Sequence, residues 1–234
     1  MEAIVLAGGM GTRLQSVVAD VPKCMAPVAG KPFLYYLLTT LESARFKRVI
    51  LALGYKREII ETWIAGYETS LLISSITEDS PLGTGGAVKQ ALSKATQSSV
   101  FVFNGDSYLG LDYQALLKCH IDKKALATIA LKQMYRFERY GRVEIDDYAR
   151  IVRFGEKQYC EAGLINGGVY VLNRNALEIF PDKFSLEKDF FEQKACTGKL
   201  IGFPTDGYFI DIGIPEDYLR AQEDFACGIP EYNF

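Results

Sequence analysis

What the chain has little of narrows its chemistry first. Its 234 residues hold one histidine, His120, and one tryptophan, Trp63. The histidine follows a predicted helix and reads as a surface residue, so catalysis by a histidine base has no strong candidate. The five cysteines, Cys24, Cys119, Cys160, Cys196 and Cys227, are odd in number and share no paired spacing. That pattern excludes a disulfide framework and a zinc site, and it fits reduced thiols. Neither sign of charge dominates: 26 Lys and Arg face 29 Asp and Glu, for a net charge of -3. This argues against a general nucleic-acid or membrane-surface binder, while local cations can still hold a small anion. No apolar run approaches membrane-spanning length, and the apolar start is broken too soon by glycine to be a signal peptide. A soluble cytoplasmic protein is expected. There is no internal repeat, no hexapeptide series and no linker-like stretch, so residues 1–226 are expected to form one α/β domain, followed by a loose tail at 227–234.

What is there begins at the N-terminus, with Ala3-Ile4-Val5-Leu6-Ala7-Gly8-Gly9-Met10-Gly11-Thr12-Arg13-Leu14. The apolar residues read as a buried strand that runs into a loop with three glycines in four positions. Backbone without Cβ atoms can press against a ligand, and Arg13 sets a planar cation beside it, so a phosphorylated nucleotide is the natural target. Two better-known glycine loops fail here. A Walker loop needs Gly-Lys-Ser/Thr, whereas Gly11 is followed by Thr12-Arg13, and the third glycine of the dinucleotide fingerprint would fall at Leu14.

Through its first half the chain alternates strand and helix. Phe33, Leu34, Leu37, Leu38 and Leu41 recur at helical spacing, followed by predicted strand 48–53, helix 58–65, strand 71–76, helix 87–94 and strand 100–103. The second half shifts to strands at 127–131, 142–145, 151–154 and 168–172, with a helix near 186–195. The expected fold is α/β: a Rossmann-like mixed, mainly parallel sheet flanked by helices, with a small antiparallel lid over the pocket.

The stretch Leu6 to Leu14, then Pro22-Lys23 and Pro27-Val28-Ala29-Gly30-Lys31-Pro32, resembles the signature of the sugar-1-phosphate nucleotidyltransferases, the nucleotide-sugar pyrophosphorylases. Pro81 to Ala87, Asn104-Gly105-Asp106, Glu156-Lys157, Asn166 to Tyr170 and Asp211 to Tyr218 extend the resemblance over nearly the whole chain. It implies a reaction between a nucleoside triphosphate and a sugar 1-phosphate that releases pyrophosphate. It also implies a nucleotide-binding half at 1–110 and a sugar-binding half at 111–226.

A phosphate monoester has its second pKa near 6 and is already a nucleophilic anion, so this reaction needs positioning and charge neutralisation more than a base. By resemblance Arg13 holds the leaving pyrophosphate, Lys23 the α-phosphate or the incoming sugar phosphate, and Lys157 the sugar phosphate. The nucleotide site would comprise Leu6, Ala7, Gly8, Gly9, Gly11, Thr12, Arg13, Lys23, Glu78, Pro81, Gly83, Thr84 and Gly85. Asp106 and Asp211 match the family's ligands for Mg²⁺. Cys24 reads as a small packing residue, with a thiol activated by Lys23 as the alternative.

Relatives that read uracil or thymine carry a glutamine where this chain has Glu78. A carboxylate only accepts, and guanine presents two neighbouring donors, N1–H and N2–H₂, so GTP is favoured. For the sugar, the stretches around Gln133, Arg139 to Val143 and Leu164 to Tyr170 look most like the heptose 1-phosphate guanylyltransferases that make GDP-D-glycero-D-manno-heptose. Gly141 would let backbone approach the sugar, and Asn104, Glu156 and Asn166 would join Lys157 around it. Small-molecule substrates are the expected partners, with no nucleic acid and no membrane; a homodimer and a homotetramer are both compatible. A glycosyltransferase would usually carry Asp-x-Asp where this chain has Asn104-Gly105-Asp106-Ser107. A non-catalytic sensor should have lost the cations and carboxylates that are all kept here.

Overall fold

A computed structural model describes residues 1–9, 14, 18, 21–78 and 80–230. Gly11, Thr12 and Arg13 lie outside the described residues, as does the end of the predicted tail. The strands are β1 (Glu2–Leu6), β2 (Pro27–Val28), β3 (Lys31–Pro32), β4 (Arg48–Leu53), β5 (Leu72–Thr77), β6 (Ser99–Asn104), β7 (Ser107–Leu109), β8 (Ala127–Phe137), β9 (Gly141–Ile145), β10 (Ile151–Lys157), β11 (Cys160–Asn173), β12 (Leu200–Thr205) and β13 (Phe209–Asp211). The α-helices are α1 (Phe33–Ser43), α2 (Arg57–Ala65), α3 (Gly83–Leu92), α4 (Tyr113–Asp122) and α5 (Pro215–Asp224).

In the first half β5, β4, β1 and β6 lie side by side and parallel. The apolar runs of β1, β4 and β6 are continuous because both faces are covered, whereas β5, at the edge of the sheet, is interrupted by Ser74 and Ser75 and stays half-exposed. Alternation along the strand sends Ala3, Val5, Phe101 and Phe103 into one core with Leu34, Leu37 and Leu41 of α1. Ile4, Val100 and Val102 enter the opposite core with Val88, Phe190 and Phe191. The five apolar residues predicted to form one helical stripe, Phe33, Leu34, Leu37, Leu38 and Leu41, are all buried on α1.

The second half continues the same sheet with antiparallel strands, apart from β12, which runs parallel to β8. β11 pairs with β6 along Val169–Asn173 and with β8 along nearly its whole length, then reaches β9, which carries β10. The strands predicted at 127–131 and 168–172 are much longer than expected, because their outer parts turn polar and half-exposed while still pairing with each other. The small sheets are the β2–β3 and β7–β13 pairs.

Three expectations are corrected. Helix α3 starts at Gly83, four residues before the predicted start, so the glycine run Gly83-Thr84-Gly85-Gly86 is the helix's own first turn. The helix predicted near 186–195 is a π-helix over Leu186–Glu192. His120 lies inside α4, only 2% exposed, with Nδ1 against Thr128 Oγ1 and Nε2 against Asn173 Oδ1, both at 3.0 Å. The apolar neighbours of this helix face hid that placement, since an isolated polar residue near a helix end reads as solvent-facing.

Candidate functional site

The site lies at the carboxyl ends of β1 and β6, where parallel strands of open α/β sheets present their loops to ligands. Gly105 N–H donates to the Leu6 carbonyl at 3.0 Å, and a Cβ at Gly105 would come within 2.4 Å of that oxygen. Only glycine lets the two loops close on each other here. The glycines after β1 divide by role. A Cβ on Gly8 would press on Gly54 at 3.1 Å, so Gly8 serves the approach of β1 to the chain after β4. Gly9 has open space beside it and lines a cavity of ≈ 170 Å³ with Leu6, Ala7, Lys23, Thr84, Asn104 and Asp106.

Asp106 and Asp211 meet because β7 and β13 pair antiparallel, with Asp211 opposite Ser107. Ile212 N–H donates to the Asp106 carbonyl at 3.1 Å, which completes the register. Between the carboxylates stands Lys23, from the 3₁₀ turn Lys23–Met25. Its Nζ donates to Asp106 Oδ2 at 2.5 Å and to Asp211 Oδ1 at 3.1 Å. The lysine side chain is 9% exposed, whereas the aspartates are 38% and 28% exposed. Asp211 Oδ1 also accepts the Gly213 N–H at 2.8 Å. Asp211 does not cap α5: Ile214 holds that position and Pro215 opens the helix. Among the described residues no group of three or more His, Cys, Asp or Glu could hold a metal. Two carboxylates converging on one cation nevertheless suit a hard divalent ion, which takes one or two carboxylates together with phosphate oxygens.

Cys24, next to Lys23, is buried, and burial pushes its thiol up to about 12, with the Asp106 charge adding to the shift. The packing reading therefore holds and the activated-thiol alternative falls, because loss of solvation outweighs the neighbouring ammonium.

The loop before α3 works differently from a bare phosphate cradle. Glu78 is half-buried, and its Oε2 accepts the Leu82 N–H at 2.7 Å. The Gly85 N–H donates to the Phe184 carbonyl at 3.0 Å, Phe184 N–H donates to the Leu82 carbonyl at 3.0 Å, and Thr84 Oγ1 donates to Glu187 Oε2 at 2.7 Å. A Cβ on Gly85 would strike the Phe184 ring at 2.3 Å, and one on Gly86 the Asp182 carbonyl at 2.1 Å. These glycines thus seat the segment leading into the π-helix. Of the loop's predicted nucleotide contacts, Thr84 lines the small cavity, whereas Glu78, Pro81, Gly83 and Gly85 do not line it among the described residues.

A cavity of ≈ 680 Å³ adjoins the carboxylates, and Asn104, Asp106, Gly141, Glu156, Lys157, Asn166 and Asp211 all lie in its wall. Asp106, Asn104 and Glu187 belong to both cavities. Gly141 has a structural reason beside any ligand: a Cβ there would lie 2.3 Å from the Gly155 carbonyl across the β9–β10 pair. Asn166 Oδ1 accepts the Gly168 N–H at 2.9 Å inside a register shift of β11, with Gly168 at φ +76°. In the sequence Arg139 and Tyr140 belong only to a stretch that carries the family resemblance, and Glu187 stands in no motif, yet all three line this cavity. Arg139 Nη2 donates to Asp217 of α5, and burial, then the Asp211 charge, pushes the Tyr140 hydroxyl up to about 12. No signal in the sequence pairs residue 139 with residue 217. Another cavity, ≈ 650 Å³, lies by Thr40, Tyr108, Leu111 and Tyr113, with Asp112 as its one charged residue among the described residues. Asp112 there is the N-cap of α4.

The sequence profile of the nucleotidyl transferase family matches residues 2–227. The chain is 46% identical to a D-glycero-α-D-manno-heptose 1-phosphate guanylyltransferase of Aneurinibacillus thermoaerophilus, over 96% of this chain and 98% of that protein. It is 41% identical to the enzyme of the same name from Campylobacter jejuni, over 94% and 98%. Among solved structures it superposes on HddC from Yersinia pseudotuberculosis complexed with GMP-PN, with a TM-score of 0.87 and 42% identity over 96% of this chain and 99% of that one.

Proposed function

Because this chain belongs to the nucleotidyl transferase family, we propose that it joins GTP to D-glycero-α-D-manno-heptose 1-phosphate, giving GDP-heptose and pyrophosphate. The observation that carries this reading is the convergence of Lys23, Asp106 and Asp211 where the two cavities meet. The smaller cavity, at the β1 loop, suits the nucleotide phosphates. The larger one, with Lys157 at the end of β10, suits a phosphorylated polyol.

An oxygen of the sugar phosphate attacks the α-phosphorus; the new P–O bond forms as the bond to the β-phosphate breaks, and pyrophosphate leaves. In this reading Lys157 takes the incoming phosphate, Lys23 the α-phosphate or the incoming sugar phosphate, and Arg13 the leaving pyrophosphate, so each reacting phosphate has a cation to neutralise it. Asp106 and Asp211 would hold Mg²⁺, which when bound supplies further neutralisation of the reacting phosphates. No side chain has to take a proton from the nucleophile. Glu78 accepts the donors of guanine, and an acceptor-only carboxylate set against O4 of uracil leaves two acceptors facing each other. Residues 1–110 hold the nucleotide and 111–226 the sugar. The identity of the sugar rests on the relatives, since amides and carboxylates suit any polyol. No helix among the described residues is long and apolar enough to cross a membrane, and a cytoplasmic enzyme assembling as a homodimer or homotetramer completes the proposal.

The test is pyrophosphate release in the presence of Mg²⁺, with each nucleoside triphosphate paired in turn with the heptose, mannose and glucose 1-phosphates. Turnover with GTP and the heptose is expected. Turnover only with UTP or dTTP and glucose 1-phosphate would overturn both base and sugar. Asp106→Ala or Asp211→Ala should lower kcat by about 10²-fold or more with the melting temperature little changed; near-normal turnover in either would remove that residue from the metal site.

A further inference from the structure

Lys23 has two destinations. The reaction needs its ammonium on a phosphate, yet its Nζ lies 2.5 Å from Asp106 Oδ2 and 3.1 Å from Asp211 Oδ1, at the point where the carboxylates would grip a divalent cation. Two cations cannot share that point. We propose that Lys23 is an internal competitor of the metal: its ammonium holds the carboxylate pair and weakens divalent-ion binding until a nucleotide phosphate draws the lysine away. The inference rests on the metal and phosphate roles given above to these three residues.

The surroundings make the exchange steep in charge and short in distance. Lys23 leads a single 3₁₀ turn whose next residues, Cys24 and Met25, are buried, so the exchange needs only rotation of the lysine side chain about a packed backbone. The side chain is almost enclosed, which strengthens its attraction to the carboxylates over that of an exposed pair. It also lines the cavity at the β1 loop, so the phosphate destination is within reach of the same stem. A site whose competent form is populated one time in ten binds its ligand about tenfold more weakly than the bare site. Phosphate, by binding the ammonium, removes that handicap, so metal and triphosphate favour each other's binding. The device lowers metal occupancy of the carboxylates before the nucleotide arrives.

The test is direct binding of Mn²⁺, followed by electron paramagnetic resonance and by calorimetry, to nucleotide-free protein. Lys23→Met should bind Mn²⁺ at least about tenfold more tightly than wild type. Lys23→Arg, which keeps a cation on the pair, should stay within about threefold of wild type, and adding Asp211→Asn to Lys23→Met should abolish the gain. Arg139→Gln controls for charge alone, since Arg139 feels the Asp211 charge but pairs with Asp217. Equal Mn²⁺ affinity in Lys23→Met and wild type would overturn the proposal, as would an equal gain in Arg139→Gln. Removing the ammonium leaves two carboxylates unneutralised and can cost stability; Lys23→Arg carries no such cost, and tenfold tighter Mn²⁺ binding by that variant would also overturn the proposal. Because no turnover enters these measurements, failure of the GTP and heptose assay leaves them readable. Normal turnover with unchanged Mn²⁺ affinities would sink this inference alone.

Discussion

At the scale of single residues, Glu78 has a local role, and the base-reading role proposed for it would have to share the same carboxylate. Its Oε2 holds the Leu82 N–H, a bond that a glutamine oxygen can also make. Glu78→Gln should therefore keep the loop and lose base selectivity: the preference for GTP over UTP is expected to fall by about tenfold or more, since a mispaired polar contact costs roughly 1–3 kcal/mol. Competition kinetics with both nucleotides would read this, and an unchanged preference would take base recognition away from Glu78. The carboxylate's chemistry was legible in the sequence. Its bond to Leu82 was not, because it depends on how the Pro81 turn folds back.

At the scale of elements, the glycines that looked alike in the sequence separate by what surrounds them. Gly86 faces the Asp182 carbonyl, where a Cβ would lie 2.1 Å from the oxygen, whereas Gly9 faces open space. Gly86→Ala should destabilise the protein by about 1–3 kcal/mol. Gly9→Ala should leave the melting temperature nearly unchanged and raise the KM for GTP. Thermal melts and initial rates on the two variants decide the matter, and equal loss of stability in both would refute the division. The His120 contacts tie α4 to β8 and β11 in a similar way, through Thr128 and Asn173. Burial holds this imidazole below its ordinary 6.5, while the Asn173 bond pulls the other way. The unfolded chain then takes up a proton that the folded state resists. The stability contributed by neutral His120 is whole above pH 6.5 and is lost as the pH falls below that value toward the lowered folded pKa. The melting temperature should drop between about pH 7.5 and about pH 5.5, and drop less in His120→Gln; parallel pH profiles would show that other groups set the slope.

At the scale of the whole molecule, β11 joins the halves. It pairs with β6 on one side and β8 on the other, so Tyr170 lies opposite both Val102 and Ile129. Cores on both faces of the sheet draw residues from both halves. Neither half closes its core without the other, and urea unfolding is expected as one transition. Trp63 on α2 reports on the first half by fluorescence, while far-UV circular dichroism reports on both. Midpoints that separate would show that the halves unfold independently.

The sequence by itself determined what short windows can carry. Apolar periodicity set α1 and the buried strands, and the motif series marked the enzyme family, while the glycine loop with Arg13 supports the phosphate site proposed above. Those signals are local because backbone preference and one-sided burial act over a few residues. The tertiary structure decided what lies across the chain. Lys23 meets Asp106 from 83 residues away and Asp211 from 188, and the glycines of α3 meet Phe184. Strand register and loop closure create those meetings, and neither is written in the neighbours of the residues that meet.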